Sequence, residues 1–217
     1  FHQFGVQHGV KVEEGVRYSL IIWVKDSLQS CMDKSTPWYF SLAESGDPDA
    51  LYECGSVLEQ GQTGVEQDAS RAAAMYAKAV KQGHVHAMES LSSMFRRGFG
   101  VAQDEKRAVK LLRRAAASGS PSAQFNLAFR HLQGHGVPRD AARAGELLRE
   151  AAEAGNTMAM TNLAWLHDGG QGQPRRPEEA ERWYRKAAEA GDLEAAKRLA
   201  RLLEAAGRAS EAEAWRA

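Results

Sequence analysis

The feature that most constrains this chain is a repeat of about 36 residues. Alanine-rich segments that close on a glycine recur with spacings of 37, 36, 36 and 36 residues between the glycines. These closing glycines are Gly46, Gly83, Gly119, Gly155 and Gly191. The same interval joins the alanines Ala87, Ala123, Ala159 and Ala195 and the leucines Leu91, Leu127, Leu163 and Leu199. A period of this length is typical of stacked supersecondary units, so the chain is predicted to be a repeat array.

Each unit is predicted to be a helical hairpin. Apolar residues follow helical spacing twice within a unit, first at Ala123 and Leu127 and then at Ala144, Leu148 and Ala151. Glycine pairs separate the two helices at Gly98 and Gly100, Gly134 and Gly136, and Gly170 and Gly172. Asp68, Asp104 and Asp140 stand where a carboxylate can cap the second helix. The glycine pairs follow helices rather than strands, which argues against a phosphate-binding loop.

The repeat pattern resembles a known family. The segment AQFNLAFRHLQGHGVPRDAARAGELLREAAEAG at 123–155 combines A-x-x-x-L-A, G-x-G-V, a capping Asp and A-A-x-x-G. This combination is similar to the Sel-one-like repeat, a relative of the tetratricopeptide repeat, and the resemblance covers residues 37–206. It implies a mainly α protein, a right-handed α-solenoid of helical hairpins. Where the family usually has an aromatic residue, this chain has Leu58, Phe95, His131 and His167.

The predicted domain organisation follows from the repeat register. The solenoid occupies residues 37–217 and is preceded by a linker at 26–36. Its parts are a half repeat at 37–46, repeats at 47–83, 84–119, 120–155 and 156–191, and a C-terminal cap at 192–217. Residues 1–25 form a separate, incomplete segment.

This N-terminal segment is predicted to be two β-strands around a turn at residues 13–15. The run from His8 to Trp23 resembles the last two core strands of the jelly roll of 2-oxoglutarate and iron(II)-dependent oxygenases of the prolyl 4-hydroxylase type. The resemblance implies that His8 is an iron ligand and that Arg17 pairs with the distal carboxylate of 2-oxoglutarate. A generic β-hairpin is the alternative interpretation.

The iron site that the resemblance implies is incomplete in this chain. The family places a His-x-Asp or His-x-Glu pair upstream of the distal histidine, and His2 has no acidic residue two positions later. The 217 residues alone are therefore predicted to bind no cofactor, neither Fe(II) nor 2-oxoglutarate. Either a catalytic half lies upstream of residue 1, or the segment is a jelly-roll remnant.

Composition excludes several classes of partner. Lys plus Arg and Asp plus Glu number 28 each, so no positive field attracts nucleic acid over long range. The longest apolar run, residues 18–24, is too short to be a transmembrane segment. Cys31 and Cys54 lack the spacing of a disulfide framework, which favours a reducing compartment such as the cytosol or an organelle interior. The compartment is otherwise not predicted.

The first helices of the third and fourth repeats carry candidate partner-binding residues. They are Phe125, Asn126, Phe129, Thr161, Asn162 and Trp165. Their spacing places them on a stripe distinct from the Ala and Leu core, where aromatic side chains would be natural anchors for a protein partner. The alternative is that the aromatic residues are further packing and that the asparagines make hydrogen bonds between layers.

Two histidine pairs have spacings that could suggest metal sites. His131 and His135 are four residues apart, and His84 and His86 are two apart. Neither pair has a third ligand nearby in sequence, so metal binding is not favoured.

The sequence therefore predicts a protein–protein interaction scaffold, a subunit of a larger assembly that has no catalytic activity as the chain stands. The alternative is the C-terminal part of a 2-oxoglutarate-dependent protein hydroxylase whose repeats recruit the substrate.

Overall fold

Helices of equal length make up most of the part of the protein that the structure describes. The structure is a computed structural model in which residues 43–61, 65–169 and 174–216 are described. The first helices of successive units are α1 Pro48–Gln60, α3 Val85–Arg97, α5 Pro121–Gln133, α7 Thr157–Gly169 and α9 Leu193–Ala205. The second helices are α2 Ala69–Lys81, α4 Glu105–Ala117, α6 Ala141–Glu153, α8 Pro177–Glu189 and the shorter α10 Ala209–Glu213. Within the described ranges the protein is thus a stack of helical hairpins, as the repeat predicted.

Several sequence predictions fall on other parts of the chain. The strands of residues 1–25, the linker 26–36 and most of the half repeat 37–46 lie outside the described residues. His8 and Arg17 belong to this part, so their roles remain predictions. Residues 43 and 44 are helical, which fits the end of the second helix expected in the half repeat.

Alanines allow the helices of the stack to approach closely. Each helix packs mainly against the helices before and after it in the chain. The alanines at the repeated core positions are fully buried, and they are Ala87, Ala108, Ala123, Ala144, Ala159, Ala180 and Ala195. A small side chain at the contact keeps two helix axes near one another, while larger buried residues such as Leu148 and Tyr184 fill the space between layers. The predicted core register is confirmed.

Helix starts are set by side-chain caps. Asp68, Asp104 and Asp140 each accept a hydrogen bond from a backbone N–H of the following first turn, which confirms their predicted role. Before α8 the side chain of Arg176 makes no such bond and Pro177 takes the first helical position, also as predicted. The first helices use a more varied set of caps: Asp47, His84, Ser120, Asn156 and Asp192.

The loops inside the second and third hairpins pack against the preceding unit. Gly100 has φ of +70°, and a Cβ at this position would lie 2.2 Å from the carbonyl oxygen of Ala69, at the start of α2. One unit later, a Cβ on Gly136 would lie 2.7 Å from Cγ of Glu105, at the start of α4. Only glycine fits both the left-handed backbone and the close approach. These glycines therefore hold adjacent hairpins at contact distance.

Candidate functional site

Two cavities adjoin along the first helices of the stack. The first has a volume of about 740 Å³ and lies between α3 and α5, close to the start of α4. The second has a volume of about 450 Å³ and lies between α5 and α7, close to the start of α6 and to α9. Phe129 lines both cavities. It is 45% exposed, which is unusual for a large apolar residue in this protein.

The two cavities are related by the repeat. Lining residues of the first cavity recur in the second at positions 36 residues further along the chain. The corresponding pairs are Ser93 and Phe129, Arg96 and Leu132, Gln103 and Arg139, Glu105 and Ala141, Asn126 and Asn162, and Phe129 and Trp165. The two cavities thus occupy the same place in the fold and differ in the chemistry of their walls.

The first cavity contains a buried cation. The side chain of Arg130 is 10% exposed and forms an ion pair with Glu105. Its Nη1 also lies 3.4 Å from the backbone carbonyl oxygen of His135. Burial and the nearby positive charge of Arg96 lower the pKa of Arg130. The guanidinium groups of Arg96 and Arg130 therefore both line the first cavity.

The second cavity combines apolar side chains with the charged residues Arg139, Glu194 and Arg198. Leu132 and Trp165 are half-buried and pack against the core, and Phe129 completes the apolar lining. Asn162 donates from Nδ2 to the carbonyl oxygen of Met158 at 2.7 Å, so its amide is used within its own helix. On the α9 side, Arg198 forms an ion pair with Glu194, with Nε 2.9 Å from Oε1.

The structure separates the predicted partner-binding residues into three groups. Asn126 and Phe129 line the first cavity, and Phe129, Asn162 and Trp165 line the second. Thr161 also lines the second cavity but is buried, and its hydroxyl lies 2.6 Å from Oδ2 of Asp192 at the start of the next unit. Phe125 lines neither cavity and packs against the core.

Sequence reasoning missed the charged residues of the first cavity. Arg96, Glu105 and Arg130 were not predicted to form a site, although the repeat carries a signal for Arg130. The equivalent positions in the neighbouring units hold Met94 and Leu166, which are fully buried. A charged residue at an otherwise apolar repeat position marks a local departure from simple packing.

One histidine of each pair has a structural role. His131 is buried, with Nδ1 3.2 Å from the carbonyl oxygen of Pro138, whereas His135 is exposed in the loop. The ring of His84 stacks on Tyr52 and accepts the N–H of Ala87 at Nδ1. Among residues 43–61, 65–169 and 174–216, no group of three or more His, Cys, Asp or Glu side chains lies together as a metal site would need.

Comparison with known families agrees with the helical repeat. The model of the Sel1 repeat matches residues 48–84, 85–120, 121–156 and 157–192, which together are more than half of the chain. The chain belongs to the Sel1 repeat family. Sel1 repeats are typically non-catalytic, and membership indicates a protein–protein interaction scaffold. Residues 1–25, whose sequence resembles an oxygenase, are not part of the match.

Solved structures of Sel1 repeat proteins are similar to this chain. The crystal structure of c5321, a protective antigen present in uropathogenic Escherichia coli strains, is 34% identical with a TM-score of 0.75, over 82% of this chain and 37% of that one. A Sel1 repeat protein from Oxalobacter formigenes is 29% identical with a TM-score of 0.75, over 87% of this chain and 76% of that one. The Sel1 chain therefore spans little more than a third of the length of c5321.

More distant structures share the fold alone. The immunity protein Pa5087 from Pseudomonas aeruginosa is 22% identical with a TM-score of 0.51, over 77% of this chain and 63% of that one. No curated protein matches the Sel1 chain. None of the described helices combines the length and apolar character needed to cross a membrane.

Proposed function

We propose that this Sel1 repeat protein is a subunit of a larger assembly and that it binds a partner protein through the surface of α3, α5 and α7 around the two cavities. The observation that carries the proposal is the exposed ring of Phe129, which lies between two cavities and belongs to both. An aromatic side chain at the centre of a concave surface is the typical anchor of a protein interface.

The repeat itself supports this assignment. At the position of Phe129, the preceding units have Ser56 and Ser93 and the following unit has Trp165. Small residues therefore leave space beside Phe129 on one side, while Trp165 extends the apolar surface on the other. Core packing does not require an aromatic residue at this position, since serine occupies it in two units. A role in binding explains both the choice of residue and its exposure.

Covering Phe129 with a partner would contribute a binding free energy typical of an anchor residue at a protein interface. Fully covering one large apolar side chain stabilises a complex by about 1.5 to 3 kcal/mol. The half-buried Trp165 and Leu132 add apolar surface beside it. Loss of the Phe129 ring should thus weaken binding at least tenfold, because truncation of a central anchor commonly costs about 2 kcal/mol or more.

Site-specific cross-linking tests the surface and identifies the partner. A photoreactive benzoylphenylalanine is placed at position 129 and, in a matched control, at Lys110, an exposed α4 residue that lines neither cavity. Position 129 should form a discrete adduct that mass spectrometry assigns to one protein, and position 110 should not. Calorimetry with the purified partner should then show a loss of at least tenfold for Phe129→Ser and less than twofold for Lys110→Ala. Equal affinity of wild type and Phe129→Ser would refute this surface.

We propose as a second candidate that the repeats recruit substrate for a 2-oxoglutarate-dependent hydroxylase. It rests on the sequence of residues 1–24, with His8 as an iron ligand and Arg17 as the group that binds 2-oxoglutarate, and it needs a His-x-Asp pair upstream. The residues of this chain do not complete such a site. Iron-dependent decarboxylation of 2-oxoglutarate by a longer chain, lost in His8→Ala, would support it, and a longer chain with neither a His-x-Asp nor a His-x-Glu pair upstream would exclude it.

A further inference from the structure

The cap of α3 differs in chemistry from the caps of the other first helices. At α3 the Nδ1 atom of His84 accepts the backbone N–H of Ala87 at 3.1 Å. The other four described first helices are capped by Asp47, Ser120, Asn156 and Asp192. Serine and asparagine side chains do not titrate, and aspartate has an ordinary pKa of about 3.9. Among these five caps, His84 is therefore the one that can change its charge in mild acid.

The contacts of His84 fix the position of its proton. A ring nitrogen that accepts an N–H carries no proton, so Nδ1 is unprotonated and the ring is neutral. The proton of the neutral ring is then on Nε2, which lies 3.3 Å from Oδ1 of Asp49 in α1. The ring also stacks on Tyr52 of α1, with 4.8 Å between the ring centroids. One neutral imidazole thus caps α3 and contacts the preceding hairpin.

Later hairpins use the cap residue in the same double role. Ser120 caps α5 and donates its hydroxyl to Glu89 of α3. Asp192 caps α9 and accepts the hydroxyl of Thr161 in α7 at 2.6 Å. The cap position is therefore a link between successive first helices, and at α3 this link depends on a neutral histidine.

A proton on Nδ1 would break the cap. The Nδ1–H of His84 and the N–H of Ala87 would then both be donors and could not bond to each other. A positive charge at this place also opposes the dipole of α3, whose N-terminus is its positive end. Both nitrogens belong to one rigid ring, so a rotation that separates Nδ1 from Ala87 also displaces the ring from Asp49 and Tyr52.

The charged groups around His84 act in both directions. Asp49 and Asp47 favour the protonated ring, and His86 disfavours it. The carboxylate of Asp49 is 72% exposed and is screened by water, whereas the side chain of His84 is only 12% exposed. Burial is the largest cause and lowers the pKa of His84 below its ordinary value of about 6.5. Stability from the neutral cap is thus fully present above that pH and is lost as the pH falls through the folded pKa.

We infer that His84 is an acid-sensitive cap at the junction between the first and second hairpins. When Nδ1 takes up a proton, the start of α3 is released and its contact with α1 weakens, whereas the junctions capped by Ser120 and Asn156 keep their hydrogen bonds. The inference is independent of the proposed binding surface, because His84 lines neither cavity.

Amide hydrogen exchange followed by NMR tests the inference on the full 217-residue chain. The N–H groups of Ala87 and Ala123 are equivalent, since each is bonded to the cap of its own helix. The protection factor of Ala87 relative to that of Ala123 is measured between pH 7.5 and pH 4.5. Acidification should lower this ratio about two- to thirtyfold, the range expected for the loss of an N-cap.

Three variants assign the effect to the ring of His84. His84→Asn should keep the cap, as Asn156 does at α7, and its ratio should not change with pH. His84→Ala has no cap, so its ratio should be low throughout the pH range. The matched control is His86→Asn, because His86 is an exposed neighbouring histidine that caps no helix. This control should show the same fall in the ratio on acidification as wild type.

The outcomes decide whether His84 responds to acid. A fall in wild type and His86→Asn that is absent in His84→Asn supports the inference. A constant ratio in wild type down to pH 4.5, an equal fall in His84→Asn, or a fall that His86→Asn abolishes would overturn it. Nitrogen-15 NMR of the imidazole rings gives an independent check, since a proton on Nδ1 of His84 at pH 7.5 would show that this atom is not the cap.

Discussion

Replacement of His167 by leucine should stabilise the protein. His167 is 1% exposed in α7, and neither of its ring nitrogens has a hydrogen-bond partner among the described residues. A buried polar group without a partner lowers stability by about 1 to 3 kcal/mol. Leu58 occupies the equivalent position in the first unit and is equally buried, so the stack accommodates a leucine there. His167→Leu should therefore raise the free energy of unfolding by about 1 to 3 kcal/mol.

His131 provides a matched control from the preceding unit. It stands 36 residues earlier and is also buried, but its Nδ1 lies 3.2 Å from the carbonyl oxygen of Pro138. Substitution by leucine removes this hydrogen bond, which is worth about 0.5 to 1.5 kcal/mol. His131→Leu should thus bring no gain, and the two variants should differ in sign although the chemical change is the same.

The effect at His167 should depend on pH. Burial, followed by the positive charge of Arg149, lowers the pKa of the His167 imidazole in the folded protein. The unfolded chain then takes up a proton near the ordinary histidine pKa of about 6.5, before the folded protein does. Stability from the neutral form is present above that pH and is lost as the pH falls through the lower, folded pKa. The gain in the free energy of unfolding from His167→Leu should therefore be larger at pH 5.5 than at pH 7.5.

Urea denaturation followed by circular dichroism measures all three proteins at both pH values. The expected order, from most to least stable, is His167→Leu, wild type and His131→Leu. The difference between His167→Leu and wild type should be larger at pH 5.5 than at pH 7.5. A His167→Leu variant that is less stable than wild type at both pH values would show that the ring is bonded in solution. An advantage that shrinks on acidification would refute the direction of the pKa shift.

Three further predictions concern the core and the loops. Leu127→Ala should lower the free energy of unfolding by about 2 to 5 kcal/mol, since Leu127 is buried, and a loss below about 0.5 kcal/mol in urea would refute the core register. Gly100→Ala should destabilise more than Gly119→Ala in thermal melts: both glycines have positive φ, which costs alanine about 1 to 2 kcal/mol, but only at Gly100 would the methyl group meet the Ala69 carbonyl; equal melting temperatures would contradict the packing. Cys54 should resist alkylation until the protein is unfolded, because it is buried and burial raises the pKa of its thiol to about 11; mass spectrometry of the Cys54 peptide would reveal early labelling that contradicts this.

The fold could be predicted from the sequence because the residues that set packing and capping recur at equivalent positions in successive repeats. An alanine that recurs at Ala87, Ala123 and Ala159 indicates one contact geometry, and the aspartates before the second helices indicate one capping geometry. The caps of the first helices were less evident, because a different residue takes the role in successive units. Ser120 has a typical capping side chain, whereas His84 caps through a ring nitrogen, which the residue type does not suggest.

The candidate site was predicted only in part, for a reason that Phe125 illustrates. Phe125 and Phe129 share one helical stripe, but the position of Phe125 faces the start of the next unit. The equivalent residues Glu89 and Thr161 both make hydrogen bonds there, to Ser120 and Asp192. Helical spacing alone places residues on a face and does not tell which part of that face the next hairpin covers.

Contacts made mainly between successive units make this protein a set of joints in series. A force applied to its two ends passes through every interface in turn, so the weakest interface opens first while the hairpins on either side stay folded. Unfolding under force would therefore begin at one interface and leave the neighbouring hairpins folded. A partner held across α5 and α7 would brace the joint that it spans and leave the remaining joints free to yield.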